Sequence, residues 1–164
     1  MSDLTAEMLR KLISYDPEAG MFTRKLPTRG VRFGANAGCL RHDGYITLWL
    51  CGRGYLAHRL AWFFVHGEWP PHELDHINGI KYDNRWVNIR PATRSENGMN
   101  KVCRRDNMAG LKGVAKNGPG WSARISRDKK RIYLGTYPTP EEASATYSAA
   151  ARELHGEFAP REAA

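Results

Sequence analysis

Long apolar runs are missing from this 164-residue chain. No stretch of about 18 residues is apolar enough to span a bilayer, so no membrane partner is expected. Cysteine is scarce: Cys39, Cys51 and Cys103 are odd in number and form no C-x-x-C pair, which argues against a disulfide framework or a zinc ribbon and leaves three free thiols. The N-terminal MSDLTAEMLRKLI lacks an apolar core followed by a small-residue cleavage site, so no secretory leader is expected and the cytoplasm is the expected compartment. Acids are the minority charge, 17 Asp and Glu against 25 Lys and Arg. With 41% hydrophobic and 26% charged residues a disordered chain is excluded, and the length accommodates one ordinary domain or two small ones.

The basic excess is concentrated in one region. Residues 1–100 hold 13 basic and 10 acidic side chains, residues 101–131 hold 10 and 2, and residues 132–164 hold 2 and 5. A 31-residue window thus carries the equivalent of the whole net charge of +8 and is followed by an acidic segment. Such an oriented field fits a polyanion.

Leu4, Met8, Leu9, Leu12 and Ile13 recur at helical spacing behind Thr5, a candidate N-cap, which predicts a helix over 5–14. Asp16 to Gly20 reads as a turn. Short strands are expected at 21–25, 35–40, 44–50 and 53–57, then a buried helix from Ala57 to His66 stopped by Gly67. The hydrophobic pattern lapses from Lys101 to Gly110, which places a basic linker at 101–110 between a unit at 1–100 and another at 111–160. In the second unit Trp121, Ala123 and Ile125 alternate with Ser122, Arg124 and Ser126. After a turn at Asp128-Lys129-Lys130, Ile132 and Leu134 alternate with Arg131 and Tyr133. Basic and aromatic side chains therefore share an outer face. Thr139-Pro140-Glu141-Glu142 is a capping box, and the helix it opens turns Ala143, Tyr147, Ala150 and Leu154 inward before Gly156. The fold class expected is α+β, with a three-stranded antiparallel sheet packed on one helix as the C-terminal half.

The chemistry is concentrated in HRLAWFFVHGEWPPHELDHINGIKYDNRWVNIRPATRSENGMN, residues 58–100. Leu74-Asp75-His76-Ile77 reads as a strand end, followed by a loop rich in Asn, Gly and Asp. A short strand at 88–90 comes next, and a second capping box at Thr93-Arg94-Ser95-Glu96 opens a helix that carries Asn97. Phosphodiester hydrolysis needs a nucleophilic hydroxide and neutralisation of charge on the phosphate and the leaving oxygen. Asp75 and Asn97 offer the hard oxygen donors of a Mg²⁺ or Mn²⁺ site rather than a zinc site. His76, pointing to the other side of the strand, suits a general base, with its partner nitrogen oriented by a loop carbonyl. Asn88 is the candidate that pins this loop, and it joins His76 in the catalytic set. His58 and His66 are read as structural, with His58 the nearer to DNA. Trp62, Phe63, Phe64 and Trp69 are read as packing, and Glu68, Glu73 and Asp83 as surface acids.

At these residues the sequence resembles the HNH nucleases of the phage and intron-encoded homing type, over about residues 1–100. The resemblance implies a ββα-metal (His-Me finger) unit with His76 as general base and Asp75 as the metal-binding acid beside it. It implies Asn88 as the central asparagine and Asn97 at the third motif position, where many members have histidine. Residues 111–158 resemble the plant ethylene-response-factor (APETALA-type) DNA-binding domain. That likeness implies an outer sheet face entering the major groove with Lys112, Arg124, Ser126, Arg131 and Tyr133.

The sequence therefore points to a Mg²⁺- or Mn²⁺-dependent DNA endonuclease, phage or mobile-element encoded, acting on double-stranded DNA as a monomer or weak homodimer. No structural zinc is expected. Two rival readings are a DNA-binding regulator that keeps the nuclease frame as scaffold and an RNA-directed protein. A B-form-shaped ribbon argues against the second, because the A-form major groove is too narrow for it.

Overall fold

The computed structural model describes residues 4–27, 34–101, 103, 107–127 and 130–160. The chain divides into two compact units, Met1–Arg94 and Ser95–Ala164. The division falls before the expected linker. The reason is local: the helix at Arg94–Asn100 is tied to the following residues by Lys112, whose Nζ donates to the backbone oxygens of Met99 and Lys101. Residues 102 and 104–106 of the expected linker, and Asp128 and Lys129 of the expected turn, lie outside the described residues.

The first unit opens with α1 (Ala6–Leu12), capped by Thr5, whose side chain accepts the Met8 N–H at 3.2 Å. The helix is shorter than its periodicity predicts, because Ile13 is already extended (φ −137°, ψ 159°) and starts β1 (Ile13–Asp16), a strand the helical pattern concealed. β1 pairs with β2 (Met21–Arg24) from Ile13↔Arg24 to Asp16↔Met21. The turn between them is held by Asp16 Oδ1, which accepts the N–H groups of Glu18 and Ala19. Gly20, at φ +68°, ends it where a Cβ would overlap the backbone of Asn84 and Arg85, so only glycine lets this hairpin approach the later loop.

The strand expected at 35–40 is two pieces in two sheets, β3 (Asn36–Ala37) beside β2 and β4 (Cys39–Leu40) beside β5 (Ile46–Leu50). Gly38, at φ +121°, breaks them apart. β5 pairs with β6 (Arg53–Leu56), which leads into α2 (Ala57–His66), ended by Gly67 at φ +80° as the sequence predicts. Leu9, Ile13, Leu48 and Leu60 are buried to 1% exposure or less in one cluster that also takes Leu74 and Ile89. Each such side chain contributes about 1.5–3 kcal/mol. Leu74 and Ile89 belong to β7 (Glu73–His76) and β8 (Ile89–Ala92), an antiparallel pair with register Glu73↔Ala92 to His76↔Ile89. The core thus anchors the hairpin that presents Asp75 and His76.

The helix α3 (Arg94–Asn100) follows the second capping-box sequence. In the second unit β9 (Val114–Asn117), β10 (Gly120–Arg127) and β11 (Lys130–Tyr137) form an antiparallel sheet of order β11-β10-β9. It packs on α4 (Pro140–His155), whose Thr139 cap accepts the Glu142 N–H at 3.3 Å. Val114, Ala123 and Ile125 meet Ala143, Tyr147 and Ala151, with Leu134, Ala150 and Leu154 half-buried around them. The small helix residues allow the close approach expected from sequence. A β-bulge at Ala123/Arg124 shifts the β10–β11 register, so Arg124 faces Tyr133 and Ser126 faces Arg131. Ile132 is 38% exposed rather than sealed inside. No described helix is long and apolar enough to cross a membrane.

Candidate active site

β7 and β8 place Asp75 and His76 in consecutive positions of one buried strand, each 5% exposed. Asp75 stands opposite Arg90 in the ladder, and Arg90 donates to Asp75 Oδ2 from Nη2 at 2.7 Å and Nε at 3.0 Å. This is a buried charge-assisted pair, strong because water is excluded from both partners. Arg90 is a site residue that sequence reading missed. The signal was its position, since a cation in a short strand opposite an acid has no other way to be buried.

The loop between the two strands is a closed hydrogen-bond network. The Asn88 side chain bridges its limbs: Oδ1 accepts the Asn78 N–H at 2.9 Å and Nδ2 donates to the Asp83 carbonyl at 2.8 Å. Asn88 O also accepts the Ile77 N–H at 2.9 Å. Asp83, read from sequence as a surface acid, is instead an organiser of the loop. It accepts Arg85 Nε at 2.8 Å, Arg85 Nη2 at 2.6 Å and Asn78 Nδ2 at 2.7 Å. The bonds from Arg85 are the main reason its carboxyl is held down at about 2.

A loop carbonyl was the orienting partner expected for His76 from the sequence; in the structure its Nε2 lies 3.4 Å from the side-chain oxygen of Asn84, which is 2% exposed. Burial pushes the His76 imidazole below the ordinary histidine value and so favours its neutral form. Two rings pack against it. His58, from α2, meets it edge-on at 5.0 Å between centroids (80°), and Tyr45 lies at 6.0 Å. His58 is 6% exposed, and burial lowers its imidazole to about 3, so it is a neutral wall of the site. Its buried Nδ1 has no hydrogen-bond partner among the described residues. Lys81 lies 4.9 Å over the Tyr45 ring and donates to the Asp43 carbonyl at 3.0 Å, which puts an ammonium beside this ring cluster. His66 packs instead on Trp62 at 4.1 Å.

Asp75, His76 and Asn88 are therefore brought together within the first unit. Asn97 lies on α3 in the second unit. Among the described residues no three His, Cys, Asp or Glu side chains gather around a common point, so a cation here needs amide, water or phosphate oxygens to complete its shell.

In the second unit Arg124, Ser126, Arg131 and Tyr133 are exposed, and the cross-strand pairs put them on one face. Tyr133 is 58% exposed, and its hydroxyl lies 2.6 Å from Thr136 Oγ1, which also accepts Asn117 Nδ2 at 3.1 Å. Lys112 is placed differently. It precedes β9, is half-buried, and its ammonium serves the carbonyls at the end of α3. A cavity of about 430 Å³ is lined in part by Lys112, Arg124, Ser126, Tyr147 and His155.

Residues 55–99, which hold Asp75, His76, Asn88 and Asn97, match the model of the HNH endonuclease family. The match therefore covers the segment that carries these four residues and less than a third of the chain. A curated relative, the uncharacterized HNH endonuclease L560 of Acanthamoeba polyphaga mimivirus, is 29% identical over 121 residues, 73% of this chain and 63% of the relative. The chain therefore spans less than two thirds of that relative's length. A solved structure of DNA binding and cleavage by the HNH homing endonuclease I-HmuI is similar with a TM-score of 0.42 and 20% identity, over 94% of this chain and 91% of that one.

Proposed function

We propose that this chain is a metal-dependent HNH endonuclease of the homing type that hydrolyses phosphodiester bonds in double-stranded DNA. The single observation that carries the reading is a buried Asp75-His76 pair at the end of a strand, beside a loop locked by Asn88, inside the segment that matches the family. His76 accepts a proton from the attacking water, a role that contributes roughly 10²–10⁴-fold. Its neutral form, favoured by burial, is the form that can do so.

The donor set suits a hard cation in kind. Asp75 would supply a carboxylate, which Arg90 pairs, Asn97 is the proposed amide donor, and the scissile phosphate would add further oxygens, the ligand types Mg²⁺ or Mn²⁺ accept. Bound there, the cation would stabilise the charge that develops on the phosphate and the leaving oxygen. Arg90 orients the Asp75 carboxylate, Asn88 fixes the loop, and His58 with Tyr45 shields His76 from bulk water.

The sheet of the second unit is the DNA-binding surface in this reading, an APETALA-type ribbon in the major groove. Its support is the cross-strand pairing of Arg124 with Tyr133 and of Ser126 with Arg131 on an exposed, basic face. Arginine there pairs bidentately with guanine. Tethering the two units raises the local concentration of the first near a site held by the second.

The test is conversion of supercoiled plasmid by purified protein in Mg²⁺ or Mn²⁺, set against chelator and with duplex DNA or structured RNA as competitor. Metal-dependent nicking or linearisation, competed by duplex DNA, is expected. No metal-dependent cutting with retained DNA binding would return the molecule to a DNA-binding regulator.

A further inference from the structure

The hairpin β1–β2 lies outside the segment that matches the HNH family, yet it touches the loop that faces His76. Tyr15, buried in β1 and stacked on Phe22 at 4.7 Å, donates its hydroxyl to the Asn84 carbonyl at 2.7 Å. The Trp86 N–H donates to the Pro17 carbonyl at 2.9 Å, and Gly20 sits against the Asn84–Arg85 backbone with no room for a side chain. Three points of the hairpin thus fix residues 84–86.

Asn84 is the residue through which that fixation reaches the site. Its Nδ2 donates to the Tyr82 carbonyl at 3.0 Å, which settles the amide orientation and turns Oδ1 toward His76 Nε2. An amide oxygen only accepts, so the nitrogen facing it must carry the proton. In a neutral imidazole the lone pair then resides at Nδ1. At 3.4 Å the bond is long, as hydrogen bonds of catalytic groups often are before substrate binds.

We infer that Asn84 is a positioning residue for His76: its side-chain oxygen holds the proton on Nε2, which makes Nδ1 the basic nitrogen, and Tyr15 of the N-terminal hairpin holds Asn84 in place. The catalytic half of this inference rests on the nuclease reading; the tautomer half does not. The hairpin is then part of the machinery that orients the general base, acting at second hand from outside the matched segment.

The experiment combines ¹⁵N NMR of the His76 ring at neutral pH in the full chain with plasmid-cleavage kinetics in Mg²⁺. The wild type is expected to show a pyrrole-type Nε2 and a pyridine-type Nδ1. Asn84→Leu should mix the two tautomers and lower kcat by about 10- to 100-fold with KM nearly unchanged, a part of what a general base supplies. Asn84→Asp keeps an acceptor oxygen but loses the donor to the Tyr82 carbonyl, so it should hold the Nε2–H form of the ring better than Asn84→Leu while recovering part of the rate. Tyr15→Phe removes one hydroxyl from a ring that stays packed, and should lower kcat by about 3- to 10-fold. A wild-type ring protonated at Nδ1, or an Asn84→Leu variant with an unchanged tautomer, overturns the inference. Should the wild type fail to cleave, the nuclease reading falls, while the ring signals still decide whether Asn84 orients His76. If Asn84→Leu does not fold, Tyr15→Phe and Asn84→Asp carry the decision by the same signals, and unchanged tautomer and kcat in Tyr15→Phe overturn the role of the hairpin.

Discussion

Arg90 offers the most quantitative test of how the site is built. Its guanidinium and the Asp75 carboxylate are 11% and 6% exposed and meet at 2.7 Å. Arg90→Met keeps the length of the side chain and deletes its charge, which takes the guanidinium away from the buried Asp75 carboxylate. Removing one partner of a buried pair costs about 3–5 kcal/mol, a large share of the roughly 5–15 kcal/mol that holds a domain together. With a urea dependence near 2 kcal/mol/M, the unfolding midpoint should fall by about 2 M. Adding Asp75→Asn to Arg90→Met removes the second half of the pair as well and should return most of the loss, to within about 1 kcal/mol of wild type. If Asp75 also ligates the cation, Mg²⁺ should stabilise Arg90→Met by about 2.7 kcal/mol at a hundredfold excess over that variant's Kd. Equilibrium urea unfolding followed by tryptophan fluorescence measures all three. An Arg90→Met variant as stable as wild type, or a double variant no better than the single one, would refute the argument from buried charge.

The loop organiser Asp83 makes a second, pH-dependent prediction. Its folded-state carboxyl is depressed to about 2, against about 3.9 in an unfolded chain, so its stabilisation is complete above about pH 4 and is lost as pH falls through about 2. Asp83→Asn should be less stable than wild type at pH 6, with the gap closing in acid; a constant gap from pH 6 to pH 2 contradicts the assignment. On the sheet, Arg124→Ala should relax base preference and reduce the salt slope of DNA binding by about 0.9 if it also meets a phosphate. Lys112→Ala, whose ammonium serves the end of α3, should lower stability more than DNA affinity. Competition binding across salt concentrations separates the two, and equal uniform losses of affinity would remove the readout role from Arg124.

Much of this frame was legible in the residues. Gly67 and Thr139 bound helices where their types predict, because caps are local chemistry that packing rarely overrides. The alternation of Ala123 and Ile125 with Arg124 and Ser126 announced the two faces of β10. What escaped was non-local. β1 was hidden because Ile13 extends a helical spacing while its strand partners are residues 21–24. The splitting of 35–40 depends on Gly38 at positive φ, a backbone property that composition does not reveal. Within the site, Asp75, His76 and Asn88 stand out as residue types in a dense pattern. Asn84, Tyr15 and Arg90 do not, because their roles come from register and from a hairpin some seventy positions away. Asp83 looked like a surface acid for the same reason: its partners Asn78 and Arg85 surround it only after the loop closes.

His76 is the proposed base that activates water for DNA cleavage. His76→Ala, compared with wild type on supercoiled plasmid in Mg²⁺ and on labelled duplex in a binding assay, tests it most directly. Cleavage should fall by about 10²-fold or more while duplex affinity stays within about threefold. Undiminished cutting by the variant would contradict it.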